Sequence, residues 1–195
     1  MPEGNLSLAV APAAPGRDGR RLAGRVAVPM FVAAVVVLAF ASLPFDEAVV
    51  AAGAGAVMVV LSAIDIERGL IPNRIVLPAA GIVLLAQIAL VPDRAAEWVL
   101  AALIAAFVFM IPQLLGRAWM GMGDAKLALL LGATLGWGVL AAVVIAFVCV
   151  FPVALAVLVQ NGITARKRTI PFGPFLSLGG LIVLFSPHLA VLTTG

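Results

Sequence analysis

The sequence has little charge, one cysteine, one histidine and no tyrosine. Only 11% of its 195 residues are charged, whereas 64% are hydrophobic. An ordinary soluble domain is about 25% charged and about 45–50% apolar. A soluble fold of this size must cover itself with polar groups, so the composition excludes a soluble globular domain. We therefore expect an all-α polytopic membrane protein with the lipid bilayer as its solvent.

The scarcity of cysteine and histidine excludes further classes. Cys149 stands alone in an apolar segment, so it has neither a disulfide partner nor a metal-binding cluster around it. No phosphate-binding loop and no Ser/His arrangement is visible, and we expect no cofactor and no metal. The net charge of +3 does not indicate nucleic-acid binding, because the basic residues lie between apolar runs, as membrane topology requires.

Apolar runs make up most of the chain. We predict a disordered cytoplasmic tail over 1–24, rich in Pro, Gly, Ala and Arg, and one transmembrane domain over 25–195. The stretch Ala125–Val159 would be about 50 Å long as one helix, against a bilayer core of about 30 Å. We therefore predict a break at Gly136-Trp137-Gly138. About seven transmembrane helices result, near 26–45, 48–64, 75–91, 97–115, 125–136, 139–160 and 174–192.

The basic residues indicate the orientation of these helices. With the N-terminus in the cytoplasm, eleven of the twelve Lys and Arg residues fall on the cytoplasmic side, and only Arg94 falls outside. This distribution is what the positive-inside rule predicts. Without the predicted break, Arg166-Lys167-Arg168 would lie outside, so the charge bias supports the break. We expect a multi-pass protein of the inner (plasma) membrane.

The first apolar run has an alternative interpretation as a signal peptide, with a cleavage site near Ala39-Phe40-Ala41. The basic segment before it is long, and the apolar run continues past that site. Both features favour a retained helix.

Two acids lie at the ends of predicted spans. Asp65 ends the second span and Asp124 begins the fifth, so the topology places both at the cytoplasmic face. Ionisable groups near membrane depth are candidates for function because desolvating a charge is costly. Two carboxylates that approach each other can hydrolyse a peptide bond, one activating water and the other polarising the carbonyl. Alternatively, each acid caps a helix or pairs with Arg68 or Lys126.

Three motifs carry a resemblance to a known family. Gly121-Met122-Gly123-Asp124-Ala125-Lys126-Leu127 resembles the GxGDxKL signature of the type IV prepilin peptidases, which are GxGD-type intramembrane aspartic proteases. Asp65 followed by Ile71-Pro72-Asn73 resembles the other half of that site. The segment from Ile170 to Phe175, followed by Leu178-Gly179-Gly180, resembles the family's IPFGPFLALGG segment.

The resemblance implies that Asp65 and Asp124 are the catalytic pair of a peptidase that removes leader peptides from type IV pilin-like precursors. Lys126 either steadies charge at the site or snorkels at the membrane border, and Pro72-Asn73 shapes a turn or binds substrate backbone. The residues expected to bind substrate or shape the site are Gly121, Gly123, Lys126, Pro72, Asn73, Pro171 and Gly173.

The sequence also departs from the full-length family, whose members often carry a cytoplasmic region with paired CxxC motifs and N-methylate the new terminus. With one cysteine, the chain resembles a short, peptidase-only form, a form often associated with Flp or Tad-type pilus assembly. The hypothesis from another class is a non-enzymatic transporter or a pilus or secretion assembly subunit with buried acids. Self-association to a homo-oligomer is compatible with either.

The charge bias makes a topology prediction. Reporter fusions after Arg74 and after Gly195 should give opposite signals, cytoplasmic for the first and external for the second. Matching signals from the two fusions would contradict seven crossings.

Overall fold

A computed structural model describes the chain over residues 17–114, 122–161 and 171–186. The regular structure within those ranges is entirely helical, which confirms the predicted all-α class. Two short 3₁₀ turns, Pro92–Arg94 and Gly136–Gly138, lie between the longer elements. The α-helices are α1 Arg17–Ser42, α2 Phe45–Arg68, α3 Asn73–Leu90, α4 Ala95–Leu114, α5 Met122–Leu135, α6 Val139–Asn161 and α7 Gly173–Leu184.

Helix α1 begins earlier than predicted. It starts at Arg17, so the prediction of a disordered tail needs correction for 17–24. Arg, Leu and Ala in this stretch are good helix formers and extend the apolar helix that follows them. Residues 1–16 of the predicted tail lie outside the described residues.

Several helices are long and apolar enough to cross a membrane, which makes the chain a multi-pass membrane protein. Helices α5 and α7 have 14 and 12 residues, or about 21 and 18 Å, which is less than a bilayer core of about 30 Å. Seven complete crossings therefore stay a prediction. The stretches that meet the length and hydropathy of a span are Phe45–Arg68, Asn73–Leu90, Pro92–Pro112 and Met122–Val157, the last containing both α5 and α6.

The predicted break in the long apolar stretch is confirmed. Gly136 has a φ of 56°, a left-handed conformation that glycine adopts without the strain a Cβ would cause. The Gly136–Gly138 segment forms a 3₁₀ turn between α5 and α6. The long stretch is therefore two helices joined by a glycine turn.

The chain reverses its direction at this turn. A Cβ added at Gly180 of α7 would lie 3.1 Å from Leu131 of α5, and one added at Gly179 would meet the backbone of Ala142 of α6. Leu131 and Ala142 would be about 16 Å apart along one straight helix, yet they contact neighbouring residues of α7. Helices α5 and α6 are thus antiparallel, and both pack against α7.

The start of α4 holds the glycine turn in place. Arg94 and Glu97 form a salt bridge of 2.7 Å, and the Arg94 guanidinium lies 5.1 Å from the centre of the Trp98 ring. A Cβ at Gly136 would lie 2.8 Å from the Glu97 carboxylate and 3.0 Å from the Trp98 ring. The turn therefore packs directly on this cluster.

Helices α3 and α5 run parallel, and a hydrogen bond joins them at each end. At one end Lys126 Nζ donates to Asn73 Oδ1. At the other end Gln87 Nε2 donates to the backbone carbonyl of Thr134 at 3.0 Å. These bonds fix α5, which carries Asp124, in height and rotation against α3.

The contact between α4 and α5 makes a stability prediction. A Cβ at Gly132 would lie 2.5 Å from Ala102 Cα and 2.7 Å from the Ala101 carbonyl oxygen, so Gly132→Ala must push the two backbones apart. We expect a loss of about 1–3 kcal/mol, measured as a lower unfolding midpoint in detergent. The matched control is Gly53→Ala in α2, where an added Cβ meets nothing within 4 Å. Equal midpoints for the two variants would contradict the close approach.

Candidate active site

Asp65 lies in the last turn of α2. The helix ends at Arg68, and Gly69 follows in a left-handed conformation with a φ of 62°. The Gly69 N–H donates to the Asp65 backbone carbonyl at 2.8 Å, which closes the helix and turns the chain towards α3. The Asp65 side chain is only 7% exposed. The helix end thus holds a carboxylate inside the bundle.

Asp124 lies in the first turn of α5 and is 8% exposed. Among the acids whose burial the structure describes, which begin at Asp46, Asp65 and Asp124 are the buried ones, and the others are exposed or half-buried. Helices α2 and α5 are in contact. The two acids predicted as a catalytic pair are therefore the two that the fold buries, on neighbouring helices.

Ile71 packs between the start of α5, which carries Asp124, and the start of α7, which contacts Asp65. A Cβ at Gly123, next to Asp124, would lie 2.9 Å from Ile71 Cβ, and a Cβ at Gly173 would lie 3.4 Å from Ile71 Cδ1. Gly123 was expected to bind substrate or shape the site, and the space that its missing side chain leaves beside Asp124 is occupied by Ile71. Gly121, predicted for the same role, lies outside the described residues.

Gly173 brings the start of α7 onto Asp65. A Cβ at this position would lie 2.6 Å from Asp65 Oδ2, so a larger residue would displace the carboxylate. The backbone N–H of Gly173 donates a hydrogen bond to the Asp65 side chain, whereas Oδ2 has no hydrogen-bond partner within the described ranges. As the first residue of α7, Gly173 has an N–H that no carbonyl of its own helix accepts. It is a site-shaping residue through both its size and its N–H.

The residues just before α7 anchor this contact. The Phe172 ring lies 5.2 Å from the Phe147 ring of α6 and 6.1 Å from the Phe109 ring of α4, centre to centre. Pro171, predicted to shape the site, is half-buried beside Phe172. The start of α7 is thus held between α4 and α6.

Three other predicted residues lie at or near the N-terminal ends of α3 and α5. Pro72 caps α3, and its carbonyl accepts hydrogen bonds from Ile75 and Val76, so it shapes the turn. The oxygen of Asn73 accepts a hydrogen bond from Lys126. Lys126 and Asn73, which are 53 residues apart in sequence, are therefore hydrogen-bonded to each other two residues from Asp124.

Sequence reasoning missed Ile71 and Phe172 as site residues. Both stand inside recognised motifs, but apolar side chains carry no chemistry that would single them out. Their position next to Pro72 and Gly173 was the available signal. The described residues contain no group of three His, Cys, Asp or Glu that could hold a metal ion.

A bundle of apolar helices with two buried carboxylates on neighbouring helices defines a polytopic membrane protein with a candidate aspartic site. Comparison with known proteins identifies its family. Residues 54–159, which include both acids, match the type IV leader peptidase family. The match covers more than half of the chain, so the chain belongs to this family, and the predicted resemblance is confirmed.

Several curated relatives are prepilin leader peptidase/N-methyltransferases. The chain is 34% identical to that of Burkholderia pseudomallei (strain 1026b) over 150 residues, 73% of this chain and 48% of the relative. It is 34% identical to that of Aeromonas hydrophila over 140 residues, 66% of this chain and 46% of the relative. The chain spans about half the length of the curated relatives it matches. No solved structure matches it.

The packing of Ile71 makes a second stability prediction. Ile71→Ala leaves a cavity between the starts of α5 and α7, because Ile71 is 7% exposed and touches both at Gly123 and Gly173. We expect a loss of about 2–4 kcal/mol, the usual cost of truncating a buried Ile. The matched control is the neighbouring Leu70→Ala, since Leu70 is 72% exposed. A similar fall in unfolding midpoint for both variants would show that Ile71 does not hold the site together.

Proposed function

We propose that the protein is an intramembrane aspartic endopeptidase that cleaves the leader peptide from type IV pilin-like precursors. The observation that carries the proposal is the selective burial of Asp65 and Asp124 on two helices in contact. Burying a carboxylate in an apolar bundle is costly, so buried acids in a membrane protein are candidates for function. The chain belongs to the leader peptidase family, which supports peptide-bond hydrolysis as the reaction of this pair.

The chemistry requires two carboxylates that share one proton. The ionised acid takes a proton from water as the water oxygen attacks the scissile carbonyl carbon. The protonated acid donates to the carbonyl oxygen, which gives a tetrahedral diol. Collapse of the diol breaks the C–N bond, the leaving nitrogen receives the proton held by the first acid, and a diol hydroxyl returns its proton to the second acid. Water is the only reagent consumed with the peptide bond, and the two acids again share one proton.

The distribution of basic residues supports cleavage at the cytoplasmic face. Arg68, Arg74 and Lys126 lie at the end of the bundle that holds the acids, where α2 ends and α3 and α5 begin. Arg94 lies at the opposite end, where it packs on the glycine turn region. By the positive-inside rule the acid end faces the cytoplasm. We infer an inner-membrane protein with a cytoplasmic N-terminus.

An apolar groove beside Asp124 suits a membrane-anchored substrate. It lies between α4 and α5, has a volume of about 610 Å³, and reaches Met122, Ala125 and Lys126 on either side of the acid. Its other walls, Phe107 and Met110 among them, are apolar. The hydrophobic helix of a pilin-like precursor fits this chemistry. Flp- or Tad-type precursors are a narrower substrate class, which we include on the short-form resemblance alone, and N-methylation is not part of the proposal.

The acid pair makes a prediction about activity. Asp65→Asn and Asp124→Asn should each lower leader cleavage by at least about 100-fold, because a neutral amide replaces neither the base nor the acid. Cleavage is measured as the mobility shift of a pilin-like precursor co-expressed with the full chain. The matched control is Glu67→Gln, an exposed acid two residues after Asp65, which should retain normal cleavage.

Either Asn variant with near-normal cleavage would contradict the assignment of the pair. Loss of cleavage in Glu67→Gln, with both Asn variants active, would move the catalytic role to Glu67. Membrane abundance of each variant, measured by immunoblot, separates lost activity from lost protein.

A further inference from the structure

The hydroxyl groups within the bundle differ in how they are satisfied. Ser62 Oγ donates to the Met58 carbonyl at 2.8 Å, and Thr134 Oγ1 donates to the Leu130 carbonyl at 2.7 Å. Each thus bonds to the carbonyl one turn earlier in its own helix, which is the common local solution. Ser177 of α7 is only 1% exposed, and its Oγ has no hydrogen-bond partner in the described part of the chain. A buried hydroxyl without a partner is unfavourable.

A second unpartnered polar atom contacts α7 at Gly173, one helical turn before Ser177. Asp65 Oδ2 is also buried and without a hydrogen-bond partner within the described ranges. It lies 2.6 Å from where a Cβ of Gly173 would be. Gly173 and Ser177 are four residues apart on α7, so their Cβ positions are about 5–6 Å apart on the same helix face.

Helix α7 points this face between the two helices that carry the acids. Gly180, three residues after Ser177 on the same face, contacts Leu131 of α5 and Met58 of α2. Gly173, four residues before it, contacts Asp65 of α2. Ser177 therefore lies between α2 and α5. The third unpartnered buried atom of the described residues, Trp98 Nε1, belongs to the cluster at the opposite end of the bundle.

We propose that Ser177 Oγ and Asp65 Oδ2 hold one water molecule between them, and that Ser177 is a positioning residue for this water. A water bonded to both oxygens spans about 5.5 Å between them, which matches one helical turn. Buried waters in proteins bond to two or more otherwise unsatisfied polar groups, and this place offers two. The Ser177 hydroxyl donates to the water oxygen, and the water donates to Asp65.

This assignment rests on the proposed function for its chemical meaning, since the water held at Asp65 is the one that attacks the peptide carbonyl. Orienting the water by a second hydrogen bond lowers the cost of reaching the attacking geometry. The contrasting interpretation is that Ser177 only packs and turns its hydroxyl to the carbonyl of Gly173. Only the first interpretation predicts that loss of the Ser177 hydroxyl changes the hydrogen bonding of the Asp65 carboxyl group.

The first test needs no substrate. Infrared spectra of the purified full chain, wild type minus Asp65→Asn, identify the carboxyl bands of Asp65. In Ser177→Ala these bands should shift, because the water loses one of its two holders. Ser62→Ala is the matched control and should leave the bands in place, since its hydroxyl bonds within its own helix. Asp65 bands that are identical in wild type and Ser177→Ala would overturn the water site.

The second test measures turnover of a pilin-like precursor. Ser177→Ala should lower kcat about tenfold with KM unchanged, the effect of losing one hydrogen bond to the attacking water. Ser177→Cys keeps a weak donor of similar size, so its kcat should lie between those of the wild type and Ser177→Ala. Alanine stands at this position in the family segment that 170–180 resembles, so α7 accommodates the smaller side chain. Wild-type kcat in Ser177→Ala would overturn the positioning role.

The two tests separate this inference from the proposed function. If the wild type cleaves no pilin-like precursor but the Asp65 bands still shift in Ser177→Ala, the proposed function fails and the water site stands. If the wild type cleaves and neither the bands nor kcat respond, the proposed function stands and the inference fails. An unfolding midpoint for Ser177→Ala equal to that of the wild type confirms that packing is preserved.

Discussion

The close approach of α7 to its neighbours is the contact on which the rest of the structure depends. In a bilayer the hydrophobic effect does not drive helices together, so packing at short range must do so, and small residues permit it. Gly173 meets Asp65, Gly179 meets the backbone of α6, and Gly180 meets Leu131 of α5 and Met58 of α2. Dispersion attraction falls steeply with distance. A helix with larger residues on these faces would stand away from Asp65 and leave the site unformed.

The position of α7 explains the shape of the bundle. Helix α7 packs on both α5 and α6, whereas these two consecutive helices touch each other little. The chain needs a left-handed glycine at Gly136 to reverse, and the polar cluster of Arg94, Glu97 and Trp98 covers that reversal. Arg94 and Glu97 pair at one end of the described bundle, and Asp65 and Asp124 lie at the other.

Sequence reasoning could identify what is rare in this chain. Charged residues are few, so two acids at the ends of apolar runs stand out, and the glycine turn stands out within an apolar stretch too long for one crossing. It could not identify how the helices face each other. Most faces of α4, α6 and α7 are apolar, because lipid and protein interior demand the same side chains, and the amphipathic pattern that orients a soluble helix is missing. The packing of Ile71 on Gly123 and the pairing of Lys126 with Asn73 follow from that arrangement and leave no local signal.

A hydrolytic site inside an apolar bundle faces a conflict between stability and chemistry. Stability favours a partner for every buried polar atom, and the bundle meets this demand at Ser62, Gln87 and Thr134. A site whose polar atoms are all paired with protein cannot hold water without breaking those pairs. The unpaired oxygens of Asp65 and Ser177 offer binding capacity for the proposed water, which the surrounding Leu, Ile and Gly residues do not. The unpaired oxygens that make the site costly to fold are therefore the atoms with which the proposed hydrolysis would hold its water.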